Sequence, residues 1–303
     1  MAHHHHHHGE HDHGHSHSHS HDAGHIETAA RAYWQRIAPA PRALGGLDEL
    51  AVRLCMAQGA HHPSAAPRQG LYFSADETQI ALSVVCDQLS NNLSAPFESV
   101  PLRAIESVDL KTRIPRARDM MRAGSIAAAN AMRDGAKLLL IAINQYPVEQ
   151  AAALFNLLSD TPLNDAAACF ASGKFNLENG EIMRSTLEAH QGNPVAALAQ
   201  IGNAELLAAA GAVLQAGSHG TAILFDGLHA VLAGAAAAKI DASVKHSMFA
   251  AATGAQSNAL WNLNISPVFA SPDSMEIGVG ALLALQRIDL ASELMNKTGS
   301  SGK

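Results

Sequence analysis

The chain has 303 residues, which is enough for one large α/β domain or for one domain plus a small appendage. Hydrophobic residues make up 48% of it and aromatic residues only 4%, which favours a helix-rich α/β core of Ala, Leu, Ile and Val over an all-β fold. The net charge is −7, and we expect no basic cluster. Because binding to a nucleic-acid backbone requires lysine and arginine, we expect a small-molecule or protein partner and no nucleic acid.

The cysteines and the hydropathy pattern indicate where the protein resides. Cys55, Cys86 and Cys169 stand alone, with no Cys-x-x-Cys pair, so they predict reduced thiols and neither a disulfide framework nor a thiolate zinc site. No apolar run reaches the roughly twenty residues that a membrane-spanning helix needs. We therefore expect a cytoplasmic protein without a membrane segment.

The amino-terminal 25 residues are rich in histidine. Residues 1–9 have the pattern of an expression tag and carry no functional argument. In the tract that follows, imidazoles alternate with Gly, Ser and Asp, and such density suits a divalent transition metal such as Zn, Ni, Co or Cu. We predict a disordered metal-binding tail over residues 1–25, with a tail of only incidental metal affinity as the alternative. The candidate ligands are His11, His13, His15, His17, His19, His21 and His25.

Helix and strand patterns then follow in chain order. The first half predicts helices over residues 26–37 and over "LDELAVRLCMAQ", a loop in "HHPSAAPRQG", a strand in "LYFSAD", a helix in "IALSVVCDQLSNNL" and a strand in "PLRAIESVDL". The second half predicts the helix "ARDMMRAGSIAAANAMRDGA", the strand "KLLLIAI", the helix "PVEQAAALFNLLSD", one long helix "NPVAALAQIGNAELLAAAGAVLQAG", the strand "GTAILFDG" and the helix "LHAVLAGAAAAK". This alternation predicts an α/β fold with a doubly wound, mostly parallel sheet.

Polar residues directly after the predicted strands are the first site candidates, because doubly wound sheets bind ligands beyond the carboxyl ends of their strands. Asp76 and Asp226 both follow apolar strands, and each lines such a crevice or caps the next helix. Asn144, after "KLLLIAI", can hydrogen-bond a neutral polar group. Glu205 has apolar helical neighbours, and a charge there is costly unless it is paired or faces a site.

The stretch "DSMEIGVGALLALQRIDL" places Glu276 beside Gly278 and Gly280, and an apolar helical pattern follows. Glycine lets a backbone approach a ligand closely. Glu276 is therefore a candidate catalytic base, and the alternative is a polar residue at the mouth of a turn.

Three stretches carry a resemblance to a known family: "PRALGGLDELAVRL", "GNAELLAAAGAVLQAGSHGTAILFDGLHAVLAGAAAA" and "GVGALLALQRIDLASELMN". Together they resemble nicotinate-nucleotide:dimethylbenzimidazole phosphoribosyltransferase, over residues 38 to 296. The resemblance implies transfer of phosphoribosyl from nicotinate mononucleotide to 5,6-dimethylbenzimidazole, giving α-ribazole phosphate for the lower ligand of cobalamin. It also implies a homodimer and a reaction without a cofactor.

The resemblance implies a domain division as well. A Rossmann-like α/β domain spans residues 61–270, and a small helical domain is formed by residues 26–60 and 271–303. Glu205 matches the family's Gly-x-x-Glu helix, and Asp226 with Gly227 matches its Asp-Gly turn. In the family a glutamate takes the proton from the incoming base, and glycine-rich loops hold the phosphate.

Two departures from the family pattern affect the expected chemistry. When Gly278 and Gly280 are aligned to the terminal motif, the position of the base glutamate falls on Ile277, and Glu276 lies one residue early. The phosphate loop falls on "AINQYPVEQ", which lacks its glycines and hydroxyls. We therefore expect altered or impaired activity, with Glu276 or Glu205 as the acid–base group. The alternatives are a non-catalytic paralogue that handles Co, Ni or Zn through the histidine tail, and an inactive subunit of a heterodimer.

Overall fold

The structure is a computed structural model that describes residues 18–37, 46–76, 82–105, 109–170, 175–190, 192–253, 256–265, 267–271, 273 and 275–297. The strands are β1 (Arg68–Ser74), β2 (Phe97–Pro101), β3 (Leu138–Ile143), β4 (Ala222–Asp226), β5 (Met248–Thr253) and β6 (Pro267–Ser271). The helices are α1 (Ser18–Ile37), α2 (Leu47–Gln58), α3 (Val84–Asn92), α4 (Leu110–Arg133), α5 (Val148–Ser159), α6 (Leu163–Ala168), α7 (Leu177–Glu188), α8 (Pro194–Ile201), α9 (Ala204–Gly217), α10 (Gly227–Ile240), α11 (Gln256–Asn262) and α12 (Val279–Lys297), with a 3-10 helix over Ala242–Ser247.

The strands form one sheet in the order β2-β1-β3-β4-β5-β6, and every neighbouring pair is parallel. The predicted α/β class and parallel sheet are confirmed. After β2 the chain crosses back over β1 to form β3, so the winding direction reverses between β1 and β3. The carboxyl ends of these two strands therefore flank the topological switch point, where open α/β sheets bind their ligands.

Apolar side chains cover both faces of the sheet, as a doubly wound fold requires. All six residues of β3 are buried. Leu139 and Ile141 pack into the core shared with α4, α5, α9 and α10, whereas Leu138 and Leu140 point to the opposite core. The expectation of a strand covered on both sides is met.

The helices of the two chain ends lie together on the second face. Helix α2 packs against both α1 and α12, and their core is continuous with the side chains of β3, β4 and β5 on that face. Trp34 of α1, Leu54 of α2 and Leu285 of α12 are all buried in this core. The proposed boundaries of a small helical domain remain a prediction.

Several predicted elements need correction. Helix α1 begins at Ser18, eight residues before the predicted start at Ile26, so the backbone of the last part of the histidine tract is helical and not a flexible tail. Strand β2 ends where the predicted strand "PLRAIESVDL" begins. It lies at the sheet edge and is only partly buried, so its hydrophobic pattern is weak. Strands β5 and β6 had no counterpart in the prediction.

The long helix predicted over residues 193–217 is two helices. Gly202 has φ of +68°, a left-handed conformation that ends α8. The side chain of Asn203 then accepts a hydrogen bond from the amide of Leu206 at 2.7 Å and caps α9. This break places Glu205 in the first turn of a new helix.

Within the described part of the chain, no helix is long and apolar enough to cross a membrane.

Candidate functional site

Three polar side chains are linked at the switch point between β1 and β3. The hydroxyl of Tyr72 donates to Oδ1 of Asn144 at 2.6 Å. The amide Nδ2 of Asn144 donates in turn to Oγ of Ser74 at 3.1 Å. Burial raises the pKa of Tyr72, and its hydrogen bonds with Ser74 and Asn144 oppose that rise. Asn144, a predicted substrate-binding residue, is thus at the expected place, with its amide already engaged by protein groups.

Glu205 reaches the same place from the other side. Its Oε1 accepts a hydrogen bond from the backbone amide of Ala75, just beyond β1, at 2.9 Å. The Glu205 side chain is buried, with 7% of the residue exposed. A carboxylate in the first turn of a helix is stabilised by the free amides and the dipole of that helix, which offsets part of the cost of burying it. The predicted catalytic candidate therefore lies at the switch point.

Asp76 lies at the rim of this crevice and is exposed. Its backbone amide donates to Oγ of Ser74 at 3.2 Å, which joins the turn after β1 to the polar network. Strand β1 ends two residues before Asp76, at Ser74, and not at Asp76 as predicted.

Asp226 ends β4 and binds the start of α12. Its Oδ2 accepts from the amide of Gly278 at 2.6 Å, and its Oδ1 accepts from the amide of Ala281 at 2.8 Å. Burial raises the pKa of Asp226, and hydrogen bonds from the amides of Gly278, Ala281 and Gly280 oppose the rise. The side chain makes no capping bond to α10, the helix that follows it. Asp226 is therefore a cap, but of a helix that begins about fifty residues further on.

Gly227 turns the chain from β4 into α10 with φ of +77°. A Cβ at this position would lie 3.3 Å from Oε1 of Gln256, which accepts a hydrogen bond from the amide of Leu228 at 2.9 Å. The predicted substrate-binding glycine thus serves a tight turn at the same edge of the sheet.

The turn that contains Glu276 and Gly278 packs against α3. Gly278 has φ of +89°, and a Cβ there would lie 2.7 Å from Sγ of Cys86. Burial raises the pKa of Cys86 to about 12, and the nearby carboxylates of Asp226, Asp87 and Glu276 add to that rise. Glu276 is exposed, and its carbonyl oxygen accepts from the amide of Val279 at 3.2 Å. Gly280, another predicted substrate-binding residue, lies buried in the first turn of α12.

The region where the phosphate loop was expected is built differently. Helix α5 begins after Pro147, which has no N–H and provides no side-chain cap. Glu149 lies in the first turn of α5 and accepts a hydrogen bond from the amide of Asn176 at 3.2 Å. A carboxylate at this helix start repels a phosphate, so α5 is a poor anion site.

Basic residues lie elsewhere, and the expectation that the chain has no basic cluster is wrong. The first nine residues of α4 carry four cationic residues, namely Lys111, Arg113, Arg116 and Arg118. Arg113 donates to the carbonyl oxygen of Gln200 at 3.1 Å, and its guanidinium lies beside Gly202, three residues before Glu205. The run "KTRIPRAR" was the signal for this cluster, and negative total charge concealed it.

A buried aromatic group borders the β3 and β4 ends of the sheet. His229 lies edge-on to Tyr146, with ring centroids 4.7 Å apart, and edge-on to Phe170 at 5.0 Å. Burial lowers the pKa of His229 to about 4. Within the described residues, Nε2 of His229 and the hydroxyl of Tyr146 are buried without a hydrogen-bond partner.

The predicted metal ligands are only partly described. His11, His13, His15 and His17 lie outside the described residues. His19, His21 and His25 belong to helix α1. No cluster of three or more His, Cys, Asp or Glu side chains suited to a metal occurs among the residues that the structure describes.

Comparison with known proteins places this architecture in the class of phosphoribosyltransferases. A family model described as Phosphoribosyltransferase matches residues 114–302, which is well over half of the chain. The chain therefore belongs to this phosphoribosyltransferase family, as its motifs predict.

Individual relatives agree with this membership. The chain is 24% identical, over 304 aligned positions covering 85% of it and 86% of the relative, to nicotinate-nucleotide–dimethylbenzimidazole phosphoribosyltransferase of Yersinia enterocolitica serotype O:8. Two crystal structures from Thermus thermophilus have similar folds. They are nicotinate-nucleotide-dimethylbenzimidazole phosphoribosyltransferase, with a TM-score of 0.71 at 20% identity, and CobT, with 0.72 at 21%. Each alignment covers 90% of this chain and 96% of the other.

Proposed function

We propose that the protein transfers a phosphoribosyl group from nicotinate mononucleotide to 5,6-dimethylbenzimidazole, giving α-ribazole phosphate, with altered or impaired activity. The α-ribazole phosphate would serve cobalamin synthesis, and the reaction needs no cofactor. The observation that carries the proposal is the contact between Glu205 and the amide of Ala75, which holds a buried carboxylate at the switch point. Membership of the family supports the reaction class.

The proposed chemistry requires a proton acceptor close to the incoming base. One ring nitrogen of the benzimidazole forms a bond to C1 of the ribose, and the bond from C1 to the nicotinate nitrogen breaks with its electron pair. The benzimidazole then loses the proton on its other ring nitrogen, and this proton passes to a carboxylate. A general base must lie within hydrogen-bond reach of the proton that it removes.

Glu205 fits the role of general base better than Glu276. Glu205 is buried at the switch point, and Ala75 is its hydrogen-bond partner among the described residues, through Oε1 only. Glu276 is exposed in the turn before α12. A buried site strengthens the interaction between a carboxylate and a developing positive charge. We therefore assign the base to Glu205 and a lesser role to Glu276.

The phosphate of the nucleotide needs cationic or amide donors at this edge. Helix α5 supplies none that is suitable, because Glu149 occupies its first turn. Arg113 is the cationic side chain of α4 that contacts the α8–α9 junction next to Glu205. A guanidinium binds phosphate through paired N–H donors, so we assign Arg113 to the phosphate. One arginine in place of an amide-lined loop is consistent with impaired activity.

The test is an assay of the full chain, freed of the tag, that follows α-ribazole phosphate. Glu205→Gln and Glu276→Gln keep the shape of each side chain, and Glu178→Gln, at an exposed position on α7, is the matched control. Losing a general base typically lowers the rate by about a hundredfold or more, so we expect that loss in Glu205→Gln only. Equal loss in Glu276→Gln would transfer the role to Glu276. A wild type that neither turns over nor binds nicotinate mononucleotide would refute the proposal.

We also infer a second candidate function, metal binding by the histidine tail. Positions 21 and 25 of α1 are one helical turn apart in the sequence, and this spacing supports the inference. We expect a divalent metal such as Co, Ni or Zn at this pair, with ligands from the preceding tract. His21→Ala with His25→Ala should weaken Ni binding at least tenfold, as expected when a ligand pair is removed. Unchanged Ni binding after this double substitution would place the ligands in the preceding tract. Equal Ni binding after residues 1–17 are removed would place them in the helix pair.

The assembly state belongs to the same proposal. We expect a homodimer in the cytoplasm, and the alternative is a heterodimer in which an active homologue supplies the missing loops. Light scattering on the purified protein measures the mass directly. A monomer that becomes a dimer only when an active homologue is added would favour the alternative.

A further inference from the structure

A second cavity lies at the opposite edge of the sheet from the switch point. Its volume is about 500 Å³, and it is bordered by the starts of β5 and β6, the end of α10 and one face of α2. Met248 begins β5, whereas Ala251 of the same strand pairs with Asp226. Three residues of parallel strand span about 10 Å, so the cavity and the carboxyl edge lie at opposite ends of the strands.

Arg53 is the central cation of this cavity. One of its terminal nitrogens donates to the carbonyl oxygen of Met248 at 2.7 Å, and the guanidinium lies over the ring of Phe249, 4.7 Å from its centroid. Burial lowers the pKa of the Arg53 guanidinium, and the charge of Glu49 opposes that shift. Within the described residues Arg53 forms no ion pair.

The nearest carboxylate is already engaged. Glu49, one helical turn before Arg53, accepts two hydrogen bonds from Arg31, at 2.8 and 3.2 Å. A desolvated charge without a counter-charge is costly, so an anion bound beside Arg53 would offset part of that cost. The remaining N–H donors of Arg53 are therefore available to a ligand in the cavity.

Two lysines at the rim of the cavity add further positive charge. Lys239 at the end of α10 and Lys245 in the 3-10 helix line it, and both are exposed. Neither lysine forms an ion pair within the described part of the chain. Cations around a concave site concentrate anionic ligands there.

Two further polar residues line the cavity, Glu49 and Asn264, and most of the remaining wall is apolar. Its main side chains are Met56, Leu158, Met248, Leu263 and Ile265. Small-molecule sites typically have volumes of about 300 to 1,000 Å³, and an apolar wall with a few convergent polar groups is their usual composition. The planar fork of arginine matches a carboxylate through two parallel hydrogen bonds.

We propose that this cavity binds a small organic anion, namely a carboxylate attached to an apolar ring. The site is separate from the proposed catalytic crevice. The carboxylate of the ligand pairs with Arg53, and the ring of the ligand lies against the apolar wall. Lys245 contributes long-range attraction.

The test measures equilibrium binding to the full chain by calorimetry, with benzoate and its neutral isostere benzamide as probes. We expect saturable binding of benzoate and at least about tenfold weaker binding of benzamide, which lacks the charge that Arg53 needs. Inorganic phosphate is an anion without an apolar ring, so it tests whether the ligand needs such a ring. Phosphate binding as tightly as benzoate, or benzamide binding equally well, would overturn the assignment.

Three variants locate the site. Arg53→Met should weaken benzoate binding at least about tenfold, and Lys245→Met about threefold, because an exposed charge contributes less than a desolvated one. Arg118→Met, an exposed arginine of α4 outside the cavity, is the matched control, and Glu205→Gln tests independence from the catalytic crevice. Should Arg53→Met fail to fold, the Lys239→Met, Lys245→Met double variant decides. Wild-type affinity in the cavity variants, or no saturable binding in the wild type, would refute the proposal.

Discussion

The carboxylate of Asp226 accepts a hydrogen bond from the backbone amide of Gly278, 52 positions further along the chain, at a distance of 2.6 Å. Its other oxygen accepts from Ala281 at 2.8 Å. These bonds tie the end of β4 to the start of α12, so the carboxyl-terminal helix is held at the same edge of the sheet as Glu205. The geometry of the proposed site therefore depends on this contact.

Asp226→Asn tests the balance between burial and hydrogen bonding. Asparagine retains one acceptor and loses the other, which costs on the order of 1 kcal/mol in free energy of unfolding at acid pH. Because burial raises the pKa of Asp226 above its ordinary 3.8, its stabilising contribution is complete below that value and is lost as pH rises through the raised pKa. The difference in free energy of unfolding between wild type and Asp226→Asn should therefore shrink from about pH 4 upward. Urea unfolding at several pH values measures it, and a difference that widens with pH would contradict the prediction.

Gly278→Ala should destabilise the protein by more than dihedral strain alone. A left-handed conformation costs a residue with a Cβ about 1–2 kcal/mol, and the added carbon would also lie 2.7 Å from Sγ of Cys86. Gly46→Ala is the matched control, because Gly46 has a similar φ of +85° and a Cβ there would have no heavy atom within 4 Å. Chemical unfolding should show the larger loss for Gly278→Ala. Adding Cys86→Ala should return that loss to the value of the control, and a loss that persists would rule out the contact with sulfur as its cause.

His229 makes stability sensitive to acid. Its pKa falls from 6.5 to about 4 on burial, so the neutral imidazole stabilises the fold above pH 6.5, and this contribution is lost as pH falls toward 4. Linkage over this interval corresponds to about 3 kcal/mol. His229→Phe should remove that part of the acid dependence, whereas His219→Gln, at an exposed position, should leave it in place. Parallel acid unfolding curves for wild type and His229→Phe would show that His229 is not responsible.

Arg113→Ala examines the proposed phosphate contact. If Arg113 holds the phosphate in both ground and transition states, KM for nicotinate mononucleotide should rise about tenfold, with kcat nearly unchanged. Arg118→Ala, exposed on the same helix, is the control. Steady-state kinetics at low ionic strength measures both constants. An unchanged KM would exclude the contact, and loss of kcat alone would point to a structural role at the α8–α9 junction.

The sheet was predictable where a strand is buried on both faces. The apolar run of β3 and the alternation of helices around it identify an α/β fold, because few other structures bury such a segment completely. Strand β5 escaped prediction because its alanines suit helices as well as strands, and only pairing with β4 and β6 determines its conformation.

Some residues of the candidate site were predictable from the sequence, but its geometry was not. Asn144 and Glu205 were identified from their positions after a strand and on an apolar helix, yet the partners Tyr72 and Ser74 come from a strand some seventy residues away in sequence from Asn144. Asp226 was expected to line a crevice or cap the next helix, and only the tertiary structure shows that it caps α12. Long-range pairings of this kind leave no local pattern.

The link between Asp226 and Gly278 also sets an order of events during synthesis. Strands β1, β3 and β4 leave the ribosome well before α12, and domains generally begin to fold from the amino terminus. Asp226 is therefore made before the amides of Gly278 and Ala281 that it binds, which follow 52 and 55 residues later. The proposed catalytic edge is accordingly completed only after the start of α12 has been made, so a chain that stops short of Gly278 would have its sheet but not a completed site.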